Sequence, residues 1–139
     1  MKFADANIFL YAFLEPKKKM AGKQSSLRQE SKNIVTRIEK GERVITSVVQ
    51  LSEISNILEA RTSRKFSREI MESMLLNENI EIIEVSKELY AAALELAKIY
   101  DISINDCIAI EVMKINNIKE IYSFDSDFDK ADGIKRIMH

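Results

Sequence analysis

The sequence has few of the residues on which several common kinds of site depend. Its three glycines, Gly22, Gly41 and Gly133, lie far apart, so neither a phosphate-binding P-loop nor a dinucleotide-binding fingerprint can be formed. The only histidine is His139, which disfavours a Ser-His-Asp triad, a zinc dyad and a Cys-His pair. Catalytic chemistry is therefore left to carboxylates.

The sequence also lacks the features of secreted and membrane proteins. The single cysteine, Cys107, cannot form an internal disulfide bond and lies in an apolar run, where a buried thiol is the usual state. No run approaches about eighteen uninterrupted apolar residues, and the N-terminus lacks the basic and apolar regions of a signal peptide. We expect a soluble, cytoplasmic protein that does not bind membranes.

The length and charge of the chain narrow the possible classes of protein further. A chain of 139 residues is long enough for one sizeable core, so we expect a single domain over residues 1–139. Hydrophobic residues make up 46% and charged residues 31%, as in ordinary globular proteins. The net charge of -1 excludes a protein that is basic over its whole surface, but it allows a local basic groove.

Short apolar runs alternate with segments of helical periodicity along the chain. The pattern predicts strands over 3–4, 43–46, 80–85, 119–124 and 134–138. It predicts one helix that begins after Asp5, one over 27–40 and one that begins at the capping-box pattern of Ser47 and Gln50. It also predicts a helix that ends at about Leu76, one that begins after Ser86 and one over 107–116. Such alternation is typical of a parallel sheet covered on both faces. We expect a three-layer αβα fold with a central parallel sheet of four to five strands.

Four carboxylates occupy equivalent places in this alternation. Asp5 and Asp125 each end a predicted strand, while Glu53 and Asp106 each lie early in a helix that leaves the same edge of the sheet. In a doubly wound sheet these positions face one crevice. Each residue also has a structural interpretation, as a cap, a solvated glutamate or a first-turn acid, but these explanations are less convincing together than singly.

A divalent metal ion resolves the repulsion among four carboxylates at short range. Ligands that are all oxygen atoms favour Mg²⁺ or Mn²⁺ over Zn²⁺, because no histidine or cysteine takes part. The natural reaction at such a site is hydrolysis of a phosphodiester, in which the metal activates water and stabilises the leaving oxygen.

Two basic segments stand out against the nearly neutral total. One is Lys17 to Lys19, and the other contains Arg61, Arg64, Lys65 and Arg68. Charge runs of this kind are most often the solvated ends of helices. The alternative is a rim that contacts phosphates.

Short motifs appear in the order and spacing of a known family. They are Phe-Ala-Asp5-Ala-Asn7-Ile-Phe-Leu-Tyr11, Thr46-Ser47 followed by Glu53, and Asn105-Asp106 followed by Ser123-Phe-Asp125-Ser-Asp127-Phe128. In this combination the sequence resembles the PIN-domain ribonucleases, and among them the VapC toxins of toxin–antitoxin pairs. The resemblance spans essentially the whole chain.

The resemblance implies an endoribonuclease that depends on Mg²⁺ or Mn²⁺ and acts on RNA. It also implies a homodimer and a cognate antitoxin as partner. The acidic quartet would be Asp5, Glu53, Asp106 and Asp125, with Asp127 as an additional or substitute metal ligand. Asn7, Ser47 and Ser123 would hydrogen-bond the cluster or metal-bound water, and the basic segments would hold RNA phosphates. Ser123 stands where the family often has threonine, and it retains the hydroxyl.

Two other functions stay open at the level of sequence. One is a PIN-fold module that binds RNA or protein with little catalysis, and the other is an RNA-processing nuclease with no toxin role. A binding module has no reason to keep four mutually repelling acids, which favours the enzyme. The sequence does not specify the RNA target, the antitoxin, the number of metal ions, the dimer surface or whether Asp125 or Asp127 meets the metal.

Overall fold

The computed structural model describes residues 1–15 and 22–139, so the basic residues Lys17 to Lys19 lie outside the described part of the chain. The described residues form five strands, six α-helices and one short 3-10 helix. The strands are β1 (Lys2–Ala4), β2 (Val44–Ser47), β3 (Ile80–Ile83), β4 (Glu120–Tyr122) and β5 (Lys135–Ile137). The helices are α1 (Ala6–Phe13), α2 (Lys23–Glu39), α3 (Val48–Arg61), α4 (Arg64–Leu76), α5 (Lys87–Tyr100), α6 (Ile104–Ile115) and the 3-10 helix (Ser126–Lys130).

The strands pair in parallel in one sheet with the order β3-β2-β1-β4-β5. The chain builds outward from β1 through β2 to β3, and then crosses to the other side of β1 to add β4 and β5. The strand order therefore reverses between β1 and β4, and the carboxyl end of that pair is where open α/β sheets bind ligands. The expected αβα fold is confirmed, and the described sheet has five strands.

Two apolar cores lie on opposite faces of the sheet, because successive strand residues point to opposite sides. Phe3, Ile45 and Ile121 face the core formed with α5 and α6. Their neighbours Ala4 and Val44 face the core formed with α1 to α4. Burial of each large apolar side chain contributes about 1.5–3 kcal/mol, so the sheet is held from both sides.

Several element boundaries differ from the sequence-based expectation. The helix α2 begins at Lys23, earlier than expected, and α6 begins at Ile104 because Ser103 caps it. The strand β3 ends at Ile83, since its partner β2 ends at Ser47 and turns into α3. Within the described ranges, 1–15 and 22–139, no helix has both the length and the apolar character needed to cross a membrane.

Candidate active site

The carboxyl edge of the sheet gathers acidic side chains from four separate parts of the chain. Asp5 follows β1 and caps α1, its Oδ1 accepting the N–H of Ala6 at 2.8 Å. Asp106 lies in the first turn of α6, Asp125 caps the 3-10 helix after β4, and Glu53 lies in the second turn of α3. These segments meet because β1 pairs with β4 and α3 contacts α6.

Ser123, which is 0% exposed, links the ends of β1 and β4 through hydrogen bonds. Its Oγ donates to Oδ2 of Asp5 at 2.7 Å and accepts the backbone N–H of Asp125 at 3.0 Å. The Nδ2 of Asn7 also donates to this oxygen at 3.5 Å. Ser123 therefore fixes the Asp5 carboxyl relative to the loop that carries Asp125.

Three carboxylates, which we call the carboxylate triad, approach closely enough to share one cation. One oxygen from each of Asp106, Asp125 and Asp127 lies within 4.8 Å of the others. Asp125 holds the turn in shape, since its Oδ1 accepts the N–H of Asp127 at 2.9 Å. The Oδ1 of Asp127 also lies 3.3 Å from Nζ of Lys130, so the protein itself partly compensates that charge.

Asp5 and Glu53 lie outside the triad but close enough for its charge to affect their pKa values. Burial, together with the nearby charges of Asp106 and Glu53, raises the pKa of Asp5 to about 7, although the hydrogen bond from Ser123 opposes the rise. Burial and the charge of Asp125 raise the pKa of Asp106 to about 6. Burial also raises the pKa of Glu53, against the effect of a hydrogen bond from Asn105. These carboxyls therefore resist ionisation in the metal-free protein.

Gln50 connects α3 to α6 beside Glu53. Its buried side chain donates from Nε2 to the backbone carbonyl of Asn105 at 3.0 Å, and its Oε1 accepts the hydroxyl of Ser47. This contact holds the first turn of α6, which carries Asp106, against the turn of α3 that carries Glu53. The sequence indicated Gln50 only as part of a capping box, because its partner on α6 lies 55 positions away.

Ser47 performs a different task from the other supporting residues. Its Oγ accepts the N–H of Val49 at 3.1 Å and that of Gln50 at 3.5 Å, so it caps α3. The helix start predicted at this position is confirmed. In the described structure the hydroxyl is used within α3, whereas Asn7 and Ser123 contact each other beside Asp5.

The basic residues Arg61, Arg64, Lys65 and Arg68 are exposed where α3 ends and α4 begins. Lys65 lies 3.8 Å from Glu69 in an exposed ion pair. The helix α3 leads away from the carboxyl edge of the sheet, and Arg61 lies about 12 Å along its axis from Glu53 at about 1.5 Å per residue. The basic segment is therefore separated from the acids by about two helical turns.

The donor atoms of the site suit a hard divalent cation. The triad consists of carboxylate oxygens alone, which is the ligand set of Mg²⁺, Mn²⁺ and Ca²⁺ sites. Burial, and after it the repulsion from neighbouring carboxylates, raises the pKa values of Asp5 and Asp106, and a bound cation would relieve the repulsion. Among the described residues, Oδ1 of Asn7 is buried without a hydrogen-bond partner, which suits a contact with metal-bound water.

The fold and the clustered carboxylates together define an α/β protein with an acidic site at the switch point of its sheet. The family model of the PIN domain matches residues 2–134. The chain therefore belongs to the PIN domain family, which confirms the family indicated by the sequence motifs.

Comparison with individual proteins adds VapC relatives. Ribonuclease VapC6 from Methanocaldococcus jannaschii is 34% identical over 70 residues, which are 50% of this chain but only 46% of that protein. The structure of VapC20 from Mycobacterium tuberculosis, described as a sarcin-ricin loop cleaving toxin, matches with a TM-score of 0.74 and 20% identity over 95% of both chains. A chain of VapBC2 from Rickettsia felis, bound to a DNA fragment from its promoter, matches with a TM-score of 0.67 and 15% identity over 98% of this chain and 96% of that one. At these identities the solved structures establish a shared fold.

Proposed function

We propose that the protein is a metal-dependent endoribonuclease and the toxin of a toxin–antitoxin pair. The observation that carries this proposal is the carboxylate triad, which lies at the switch point of a PIN fold with Asp5 and Glu53 beside it. RNA is the substrate class because a relative over half of the chain is a ribonuclease. Hydrolysis of a phosphodiester is a reaction that carboxylate-bound divalent metal ions perform in nucleases.

The metal would be held by Asp106 and Asp125, with Asp127 as a third and weaker ligand because Lys130 shares its charge. Asp5 adds a fourth carboxylate next to this set, and hydrogen bonds from Ala6 and Ser123 hold that carboxylate in one orientation. We assign Mg²⁺ or Mn²⁺ rather than Ca²⁺ because a few carboxylates leave the other coordination positions to water and substrate phosphate, as Mg²⁺ prefers. Either ion, when bound, supplies a Lewis acid that activates water and stabilises the leaving oxygen.

We assign to Glu53 the role of accepting a proton from the attacking water. It lies outside the triad, so its carboxyl is not used by the shared cation, and burial raises its pKa above the ordinary value. The contact of Gln50 with Asn105 holds its helix turn against α6. Glu53 therefore acts beside the metal ligands rather than among them.

RNA phosphates would be held by Arg61, Arg64, Lys65 and Arg68, which are exposed on the described surface. The separation of about 12 Å along α3 between the backbones of Glu53 and Arg61 places the basic segment away from the scissile bond. They would therefore set affinity and salt dependence rather than the chemical step. Changing Arg64 to alanine should weaken RNA binding and flatten its salt dependence, and an unchanged salt slope would remove that assignment.

The partners of the protein follow from the same relatives. The fold of the chain matches that of one chain of a VapBC complex over nearly its whole length, which supports an antitoxin as the partner that would hold the nuclease inactive. We also propose a homodimer, as the family resemblance implies. Expression of the toxin alone should arrest growth, and expression of the Asp106→Asn variant should not.

The decisive experiment measures RNA cleavage by the purified, antitoxin-free protein with Mg²⁺, with Mn²⁺ and with chelator. A structured and an unstructured RNA should both be offered, because the target is not specified by the site. Asp106→Asn should abolish cleavage, whereas Asp132→Asn, an exposed aspartate outside the triad, should retain it. Cleavage that survives both chelator and Asp106→Asn would contradict the proposed function.

A further inference from the structure

A pocket of about 410 Å³ adjoins the acidic site on the side of α3 and α5. Glu53 and Asn105 line this pocket and also belong to the surroundings of the triad. Its volume lies within the range of about 300–1,000 Å³ that is typical of small-molecule sites. Whatever enters the pocket therefore lies directly beside the atoms proposed to perform cleavage.

Two rows of α3 side chains form one wall of the pocket. Residues four positions apart share a helix face, so Ser52 and Asn56 lie along one row while Glu53 and Ile57 lie along the next. Ser52 and Asn56 are exposed, and each offers hydrogen-bond donors and acceptors without a charge. This wall therefore presents neutral polar groups next to the acidic Glu53.

Tyr90 supplies the opposite wall from α5. Its side chain is 45% exposed, so part of the phenol ring is available to a ligand in the pocket. Val48 and Val49, at the start of α3, add apolar surface to the lining. An aromatic ring, apolar surface and neutral hydrogen-bonding groups are the combination by which proteins bind unstacked bases of RNA.

The charge of the lining decides which part of an RNA would enter. The pocket is lined by no lysine or arginine among the described residues, and it contains the carboxyl of Glu53. The described lining of the pocket therefore offers no cation to bind a phosphate, whereas a neutral planar base needs none. The basic segment near Arg61 is available to phosphates elsewhere on the surface.

We propose that this pocket binds the unpaired nucleobase next to the scissile phosphate and sets the sequence preference of cleavage. Tyr90 stacks on the base, and Asn56 and Ser52 read its edge. The inference rests on the proposed ribonuclease function and adds to it a specificity site distinct from the metal ligands. The substrate class that follows is RNA with a single-stranded nucleotide at the cleavage site.

The first experiment measures kcat/KM on short unpaired RNAs in which the nucleotide beside the cleaved bond is varied or made abasic. Tyr90→Ala should lower kcat/KM on the preferred RNA about tenfold or more, as expected for loss of one base-stacking contact. Tyr90→Phe should restore it, because the ring is kept. Asn56→Ala should reduce the discrimination between bases while cleavage continues.

A matched control is available one helical turn further along α5. Leu94 is 41% exposed, close to the exposure of Tyr90, but it does not line the pocket. Leu94→Ala should leave both the rate and the base preference unchanged. On the abasic RNA the wild type and Tyr90→Ala should be equally active, since neither has a base to stack.

A second experiment separates this inference from the proposed function. Binding of the same RNAs is measured by fluorescence anisotropy in an Asp106→Asn background, where cleavage is expected to be absent. In this background, removal of the base should lower RNA affinity when Tyr90 is present and should have no effect in the Tyr90→Ala variant. That result would support base binding in the pocket even if the wild type cuts no RNA. Cleavage with equal effects of Tyr90→Ala on intact and abasic RNA would overturn the pocket alone. A change of oligomeric state in Tyr90→Ala, with base preference unchanged, would instead assign this face to a second copy of the chain.

Discussion

The two ends of the sheet differ in the arrangement of their charged side chains. At the carboxyl end, Asp106, Asp125 and Asp127 place like charges within 4.8 Å of one another. At the amino end, Glu42 accepts a hydrogen bond from Tyr122 at 2.6 Å and lies 3.2 Å from Arg37. Like charges therefore lie close together at the carboxyl end, whereas opposite charges are paired at the amino end.

The pKa values record the same difference. Burial alone would raise the pKa of Glu42, but hydrogen bonds from Tyr122 and Arg37 outweigh it and lower the pKa below its ordinary value. At the carboxyl end burial and like charges act together, so the pKa of Asp5 rises to about 7. The charged groups at the amino end therefore stabilise the fold, whereas those at the carboxyl end form an unfavourable arrangement that protonation or a bound cation relieves.

Asp5→Asn should produce the largest effect, because it removes charge from the acidic end without changing shape. We expect RNA cleavage to fall about a hundredfold or more, which corresponds to about 3 kcal/mol of transition-state stabilisation. The melting temperature of the metal-free protein at pH 8 should rise, since a buried repelling charge is lost. Cleavage rates and thermal unfolding of the same preparation test both parts. Retained cleavage, or a lower melting temperature, would show that the charge of Asp5 is not used in this way.

Ser123→Ala should have the next largest effect, because it removes the hydroxyl that links Asp5 to the Asp125 loop. Loss of this buried hydrogen-bond partner should lower the free energy of unfolding by about 1–3 kcal/mol and reduce cleavage about tenfold. Denaturant unfolding and kcat measurements test this expectation. Ser126→Ala, which changes an exposed serine nearby, is the control and should behave like the wild type.

The stability of the metal-free protein should fall as pH rises from about 4 to about 7. The folded pKa values of Asp5 and Asp106 lie above their ordinary value of 3.8, so the folded state binds protons more tightly than the unfolded state in this window. The groups that face these two carboxyls are Glu53, Asp125 and Asp127. Saturating Mn²⁺ should reverse the decline, by about 3 kcal/mol when its concentration is about a hundred times its Kd. Melting curves at pH 5 and pH 7.5, with and without Mn²⁺, provide the measurement, and a metal effect no larger at the higher pH would contradict the prediction.

Glu42→Gln should have the smallest effect and should act at the other end of the sheet. We expect a loss of about 1 kcal/mol in the free energy of unfolding, because the partly exposed pairs with Arg37 and Lys2 are weakened. Stabilisation by Mn²⁺ should be unchanged, which separates the two ends experimentally. Glu39→Gln, an exposed change on α2, is the matched control and should cost less.

Local sequence patterns predicted the parts of this molecule that depend on neighbouring residues. The alternation of strands and helices predicted the parallel sheet, and the hydroxyl of Ser47 marked the start of α3. Asp5 and Asp106 are recognisable in the sequence because one stands at a strand end and the other in a first helical turn. Such signals survive in the sequence because they are fixed within a few positions of the chain.

The contacts that complete the site could not be predicted from local patterns, since they join distant parts of the chain. Only the family resemblance indicated that Ser123 and Asn7 contact the acidic cluster, whereas nothing indicated the contact of Gln50 with Asn105. Ser123 meets Asp5 across 118 positions, and Gln50 meets Asn105 across 55. The two residues of each pair do not share a helical turn or a hairpin, so the periodicity of the sequence does not indicate that they are in contact. The charge pairing at Glu42 is equally distant, because Tyr122 lies 80 positions away. Only the order of strands in the sheet brings these residues together.

The reversal of strand order between β1 and β4 has a consequence for folding. Phe3 pairs with Ile121 and Ala4 with Tyr122, so two neighbouring strands come from positions far apart in the chain. Pairing of parallel strands over such a separation is intrinsically slow. Ser123, Asp125 and Asp127 follow β4 directly, so the carboxylate triad is complete only when this slow pairing has taken place. The acidic site therefore forms with the last steps of folding rather than with the first.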